Sequence, residues 1–142
     1  MFRVQTTSKG IDPMNVLVAE DDTALASTIV QRVQRWGYMA DLSTTGGETI
    51  DKISKNTFDL ILLDIFLPDT TAHDLIPKIK EFQPGIGIVT MTGYNSGKLE
   101  REIREKGIIY YLLKPFNSHE VKEILDHISN KIKMEVIRKC SN

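Results

Sequence analysis

The run Leu60-Ile61-Leu62-Leu63-Asp64 decides how this chain folds. Read back to Phe58, it is short and nearly continuous in apolar character, the mark of a β-strand buried on both faces. It stops on a carboxylate. Val16-Leu17-Val18-Ala19 has the same form and is followed at once by Glu20 and Asp21. Two further runs end on other polar groups: Ile86-Gly87-Ile88-Val89-Thr90-Met91-Thr92, and Tyr110-Tyr111-Leu112-Leu113-Lys114-Pro115. If these are parallel strands of one sheet, Glu20, Asp21, Asp64, Thr92 and Lys114 meet at its carboxyl edge. In open α/β sheets the ligand site lies beyond that edge.

The segments between the runs read as helices. Asp22 and Thr23 can cap a helix with apolar positions Leu25, Ile29, Val33 and Trp36, stopped by Gly37. Tyr38–Leu42 is a further short strand, and Gly46–Ser54, with Ile50 and Ile53, a weak helix. Leu75, Ile76 and Ile79 mark another helix, in which Pro77 is the constraint. Only the first turn lacks N–H partners, so a late start is expected, with Asp74 as N-cap and Pro77 in the first turn. Ser96–Lys106 has only Leu99 and Ile103 clearly apolar; it is lightly anchored, as mobile elements tend to be, and Gly107 ends it. The last helix is capped by Asn117 or Ser118 and carries Val121, Ile124, Leu125, Ile128, Ile132 and Val136. Strands and helices in strict alternation predict right-handed βαβ units. The fold class is α/β, a doubly wound five-stranded parallel sheet with helices on both faces.

Bulk properties narrow the function. A chain of 142 residues fits one domain and needs no disulfide or metal staple to build a core. Apolar residues make up 41% and charged residues 26%, ordinary for a soluble globular protein. A formal net charge of -1 gives no sign of direct nucleic-acid binding. No apolar stretch approaches a membrane span, and Met1 to Gly10 lack the apolar core of a signal peptide. With Cys140 as the one cysteine, a disulfide framework is excluded and a reducing cytoplasm is expected. Residues 1–13 carry no helical or strand period and read as a disordered tail or a cloning scar. The main domain is expected over 14–132, and 133–142 continues the last helix into a C-terminal tail.

Glu20, Asp21 and Asp64 brought within a few ångströms repel one another unless a cation neutralises them. Hard carboxylate oxygens without histidine or cysteine favour Mg2+ over zinc. Thr92 can donate to a phosphoryl oxygen, and Lys114 can supply positive charge opposite the metal. Phosphoryl transfer depends mostly on such positioning and neutralisation.

At this point the chain resembles the receiver domain of bacterial two-component response regulators, the CheY-like family. Val16-Leu17-Val18-Ala19-Glu20-Asp21-Asp22 is similar to the family's first strand and acidic pair. Leu62-Leu63-Asp64-Ile65-Phe66-Leu67-Pro68-Asp69 is similar to its phosphorylation block, and Met91-Thr92-Gly93-Tyr94 to its Thr/Ser block. Tyr111-Leu112-Leu113-Lys114-Pro115-Phe116 is similar to the block with the aromatic switch residue and the Lys-Pro pair. The resemblance implies a flavodoxin-like strand order, 2-1-3-4-5. It implies that Asp64 accepts a phosphoryl group from a histidine kinase or phosphotransfer protein. It further implies that Glu20, Asp21, Asp64 and the Phe66 main-chain carbonyl bind Mg2+, and that Thr92 and Lys114 hold the phosphoryl oxygens. Tyr111 would turn inward as Thr92 moves, and Lys114–Pro115 would be cis. The switched surface would comprise the Ser96–Lys106 helix, the Ile109–Leu113 strand and the last helix, and would engage a downstream protein. The apolar positions Ile132 and Val136 continue the last helix, which reads equally as a slightly longer terminal helix or as a dimerising or linker helix.

Some residues depart from the family pattern. Glu20 stands for the more usual aspartate, and Phe66 is bulky enough to shield Asp64 and slow hydrolysis. Gly93 replaces a frequent alanine, Ile108 a usual alanine and Ala72 a usual glycine. Other readings exist for each residue alone. Acids at 20–22 suit any helix N-terminus. Thr92 suits any strand, and Tyr111 any packed core. The set of blocks outweighs these. The whole chain has two alternatives: a phosphorylation-independent interaction module, and a Mg2+-dependent phosphohydrolase. The second needs a general-acid carboxylate two residues after the nucleophile, and Phe66 occupies that place. The chain is therefore expected to be a signalling switch and no enzyme beyond its own phosphoryl transfer and autodephosphorylation. His73, His119 and His127 read as surface residues.

Overall fold

In a computed structural model of the chain, residues 6–7, 10–94 and 96–140 are described. Five parallel strands alternate with five helices. They are β1 Asn15–Ala19, α1 Thr23–Arg35, β2 Met39–Ser43, α2 Gly46–Lys55, β3 Leu60–Asp64, α3 Ala72–Phe82, β4 Gly87–Thr92, α4 Gly97–Glu105, β5 Tyr110–Leu113 and α5 Ser118–Cys140. The sheet order is β2-β1-β3-β4-β5, the expected 2-1-3-4-5. β3, the strand read first, is buried along its whole length. It lies between β1 and β4, with Leu63 opposite Ala19 and Asp64 opposite Met91.

Side chains alternate across the sheet with a period of two. Leu17, Ile61, Leu63, Ile88 and Tyr111 face α2, α3 and α4 and pack with Ile53, Ile76, Ile79 and Ile103. Val16, Val18, Leu62, Val89 and Leu112 face α1 and α5 and pack with Ile29, Val33, Leu125 and Ile128. Each fully buried aliphatic side chain stabilises by about 1.5–3 kcal/mol, so these two layers carry the fold.

Most helix ends follow local chemistry. The Asp22 carboxylate accepts from the Leu25 amide at 3.1 Å, and Asn117 Oδ1 accepts from the Glu120 amide at 2.8 Å. Gly37 and Gly107 follow α1 and α4 with φ of 95° and 87°, a left-handed backbone that glycine adopts without strain.

The start of α3 corrects the sequence reading. Thr71, not Asp74, is the N-cap, and Asp74 lies in the first turn. Pro77 therefore lies within the helix, beyond its first turn. The Ala72 amide bonds the Ile65 carbonyl at 2.8 Å, and the Ala72 side chain is fully buried. That tertiary anchor starts the helix early and overrides the proline. Pro77 is tolerated on the exposed face.

Within the segment 1–13, Thr6–Thr7 and Gly10–Ile11 pair antiparallel. Residues 1–5, 8 and 9 lie outside the described residues. At the other end α5 runs unbroken to Cys140, with Met134 and Ile137 exposed. No helix among the described residues is long and apolar enough to cross a membrane.

Candidate functional site

Strand register aligns the polar residues at one edge. Ala19 pairs with Leu63, Asp64 with Met91 and Thr92 with Leu113, so Glu20, Asp64, Thr92 and Lys114 end their strands together. Backbone bonds fix the ends. The Glu20 amide donates to Ser43 O at 2.9 Å, and the Lys114 amide to Thr92 O at 2.8 Å. The Lys114–Pro115 peptide is cis.

Glu20 is 1% exposed and Asp64 7%, while Asp21 faces solvent. Each offers an oxygen within 4.8 Å of the others. Lys114 bridges the two buried acids: its ammonium donates to Asp64 Oδ2 at 3.0 Å and to Glu20 Oε1. Each buried carboxylate then spends its other oxygen on a backbone amide two residues on. Phe66 N–H donates to Asp64 Oδ1 at 3.2 Å, and Asp22 N–H to Glu20 Oε2 at 3.1 Å. Burial pushes the Lys114 pKa down, but hydrogen bonds and charge from Glu20 and Asp64 outweigh it and leave the value raised. The ammonium stays charged. An all-oxygen donor set of three carboxylates fits a hard divalent cation.

Thr92 is buried, and its Oγ1 accepts from the Tyr94 amide at 3.0 Å. A hydroxyl that accepts still has its own O–H to donate. Tyr111 lies one strand over, opposite Thr90 in register, already inside the α3–α4 core. Burial and the Glu100 carboxylate raise its pKa; the Arg104 guanidinium, 5.8 Å from the ring centroid, opposes them. Glu20, Asp21, Asp64 and Lys114 thus come together, Thr92 ends the neighbouring strand at the same edge, and Tyr111 is buried in the core beside it in sequence register. Phe66 leaves the cleft by its exposed side chain. His73, His119 and His127 are exposed.

Two features escaped the sequence. Asp69 Oδ1 and Oδ2 accept from the Gly46 and Gly47 amides at 2.7 and 3.0 Å, tying the loop after Asp64 to the start of α2. These bonds hold the Asp69 carboxyl below its usual pKa. Phe66 also meets Tyr94 edge to face, with centroids 6.2 Å apart and planes at 79°. Glycines at a helix start and an Asp in a Leu-Pro-Asp turn are visible locally, but their pairing is not.

Comparison with known proteins agrees with this geometry. The family described as the response regulator receiver domain matches residues 16–126. A relative named DNA-binding transcriptional regulator NtrC, from Bradyrhizobium sp. (strain RP501 Parasponia), is 32% identical over 111 residues, covering 78% of this chain and 23% of its own. The chain thus spans about a quarter of the length of such curated relatives. A response regulator receiver domain protein (CheY-like) from Methanospirillum hungatei JF-1 superposes with a TM-score of 0.75 at 31% identity, covering 84% of this chain and 98% of that one. A response regulator protein from Burkholderia pseudomallei, solved with a phosphorylated aspartic acid, calcium ion and citrate, superposes with a TM-score of 0.75 at 25% identity, covering 89% of this chain and 74% of that one.

Proposed function

This chain belongs to the response regulator receiver-domain family, a phosphorylation-accepting module of two-component signalling, and from that premise we propose that Asp64 is its phosphoacceptor. An Asp64 oxygen attacks the phosphorus of a phosphohistidine on a partner kinase or phosphotransfer protein. The P–N bond breaks, and the histidine keeps the electron pair and takes up a proton. Glu20, Asp21, Asp64 and the Phe66 carbonyl would hold Mg2+, which when bound would neutralise charge on the phosphoryl group. Lys114 releases Asp64 to bind a phosphoryl oxygen, and Thr92 donates its O–H to another. The observation that carries this reading is the Lys114 bridge between Asp64 and Glu20, with Asp21 in the same cluster.

Phosphorylation shifts a two-state equilibrium read out on the face built from α4, β5 and α5, with Thr92 and Tyr111 as the moving pair. A protein effector binds that face. A dimer through the apolar extension of α5 belongs to the same proposal. A cytoplasmic location goes with these partners. The unit behind this function is the segment 14–132.

The test is intact mass after incubation with acetyl phosphate and Mg2+, beside Asp64→Asn. A gain of one phosphoryl group, lost in the variant and without Mg2+, is expected. No gain under any condition overturns the phosphoacceptor role.

A further inference from the structure

The loop between β3 and α3 is held at its tip as well as at its base. At the base, the Ala72 amide donates to the Ile65 carbonyl at 2.8 Å, and Phe66 and Thr71 bridge antiparallel. At the tip, the two Asp69 carboxylate oxygens accept from the first two amides of α2, Gly46 N–H at 2.7 Å and Gly47 N–H at 3.0 Å. The approach is close. A Cβ on Gly46 would stand 2.3 Å from Thr70 Cγ2 and 3.2 Å from Asp69 Oδ1. Between tip and base, the Leu67 amide donates to the Thr70 carbonyl at 3.0 Å. That amide belongs to the same peptide unit as the Phe66 carbonyl. The unit is planar and trans, so its N–H and C=O point opposite ways. Where the Leu67 N–H points therefore decides where the Phe66 carbonyl points. A line of contacts thus runs from the start of α2 through Asp69 and Thr70 to the Phe66 carbonyl, two residues past Asp64.

We propose that the seat of Asp69 on the Gly46 and Gly47 amides is a latch that aims the Phe66 carbonyl and thereby sets how tightly the site holds Mg2+. The proposal rests on the metal site of the proposed function, in which that carbonyl is a ligand. Mg2+ demands near-ideal octahedral geometry, so a ligand that drifts costs affinity. A carboxylate can adjust to the cation by turning its side chain. A main-chain carbonyl is aimed only by its loop, and this loop is anchored to α2 through Asp69. Asp69 touches neither the cation nor the phosphoryl group; it is a positioning residue. Coupling of this kind is reciprocal, so a cation held at the carbonyl in turn holds the loop against α2.

The experiment titrates the whole unphosphorylated chain with MgCl2 and follows amide chemical shifts, with thermal unfolding of each variant recorded without Mg2+. Asp69→Ala removes the latch and is expected to weaken Mg2+ binding about two- to tenfold, within what lost hydrogen bonds behind a metal ligand supply. Gly46→Ala keeps the Asp69 charge and every ligand but pushes Thr70 away from α2. It is expected to weaken binding by a similar factor. Gly47→Ala, whose Cβ would lie 3.7 Å from Asp69 Oδ2 in ordinary contact, is expected to bind as the wild type does. The double variant Asp69→Ala/Gly46→Ala is expected to bind no more weakly than the weaker single one, since both break one contact. In the wild type, Mg2+ is expected to slow hydrogen exchange at the Gly46 and Gly47 amides, and this readout decides the matter if Gly46→Ala does not fold. Wild-type affinity in both Asp69→Ala and Gly46→Ala overturns the latch. So does a loss in Asp69→Ala alone, which would be an effect of charge and not of position. Additive losses in the double variant, or exchange at Gly46 and Gly47 indifferent to Mg2+, overturn it as well. A wild-type chain that binds no Mg2+ overturns the metal site itself instead.

Discussion

The Lys114 ammonium lies 3.0 Å from Asp64 Oδ2 while also bonding Glu20 Oε1. One cation thus neutralises the two acids that the sheet buries at its carboxyl edge. Under the proposed function a divalent ion would compete with the lysine for the same oxygens, which would couple the site's stability to its chemistry.

Removing the lysine exposes the coupling. Lys114→Met leaves Glu20 and Asp64 buried and uncompensated. Breaking a fully buried pair costs about 3–5 kcal/mol; because Asp64 edges solvent, a loss of about 2–4 kcal/mol is expected without Mg2+. Added Mg2+ binds the folded state only and should stabilise the variant more than the wild type. Denaturant unfolding with and without Mg2+ checks this, and equal stabilisation of the two proteins would count against the exchange.

Two buried hydroxyls, Thr90 Oγ1 and Tyr111 Oη, have no hydrogen-bond partner in the protein among the described residues. A buried group left unbonded lowers stability by about 1–3 kcal/mol. Tyr111→Phe keeps the ring under Arg104 and removes the hydroxyl, so it should raise the unfolding free energy by about 1 kcal/mol. Denaturant titration decides it, and a destabilised variant would mean that the hydroxyl is bonded in solution.

Alkaline pH should unfold the chain through groups whose folded pKa lies above the unfolded one. Burial first, then the hydrogen bond and charge of Asp126, push the Tyr38 hydroxyl from 10.0 up to about 12. The folded chain therefore holds a proton that the unfolded chain has released. Stability from this group is complete below pH 10.0 and is lost as pH rises towards about 12. Lys114, raised above 10.5, adds to the loss in the same direction. Tyr38→Phe loses one hydrogen bond, about 1 kcal/mol at neutral pH, and should show a shallower alkaline decline. Denaturant unfolding stepped through this range measures both.

The strands and the charged site were legible because both are local signals: apolar runs of strand length, each ending on a polar residue. Sheet order makes those ends converge, and parallel βαβ connections leave little choice. What stayed hidden depends on residues far apart in sequence. Asp69 meets Gly46 across 23 residues, and Phe66 meets Tyr94 only because β3 and β4 are neighbours. The pairing of Thr6–Thr7 with Gly10–Ile11 involves too few residues to show an alternation. The start of α3 departs from the proline expectation because the anchor at Ala72 outweighs it, and no local pattern reveals that anchor.

That anchor makes a last prediction possible. Pro77 sits inside α3 and has no N–H to offer the His73 carbonyl one turn back. An interior proline disfavours a helix by about 3 kcal/mol relative to alanine, but its rigid ring also restricts the unfolded chain, which returns about 0.4–1 kcal/mol. Pro77 is exposed, so its replacement disturbs no core contact, and water already serves part of the freed carbonyl's need. Pro77→Ala should therefore raise the unfolding free energy by about 1–2 kcal/mol. Denaturant unfolding measures the gain, and hydrogen exchange along α3 should slow most around residues 73–77. A loss of stability would mean that the ring itself packs against the body of the domain.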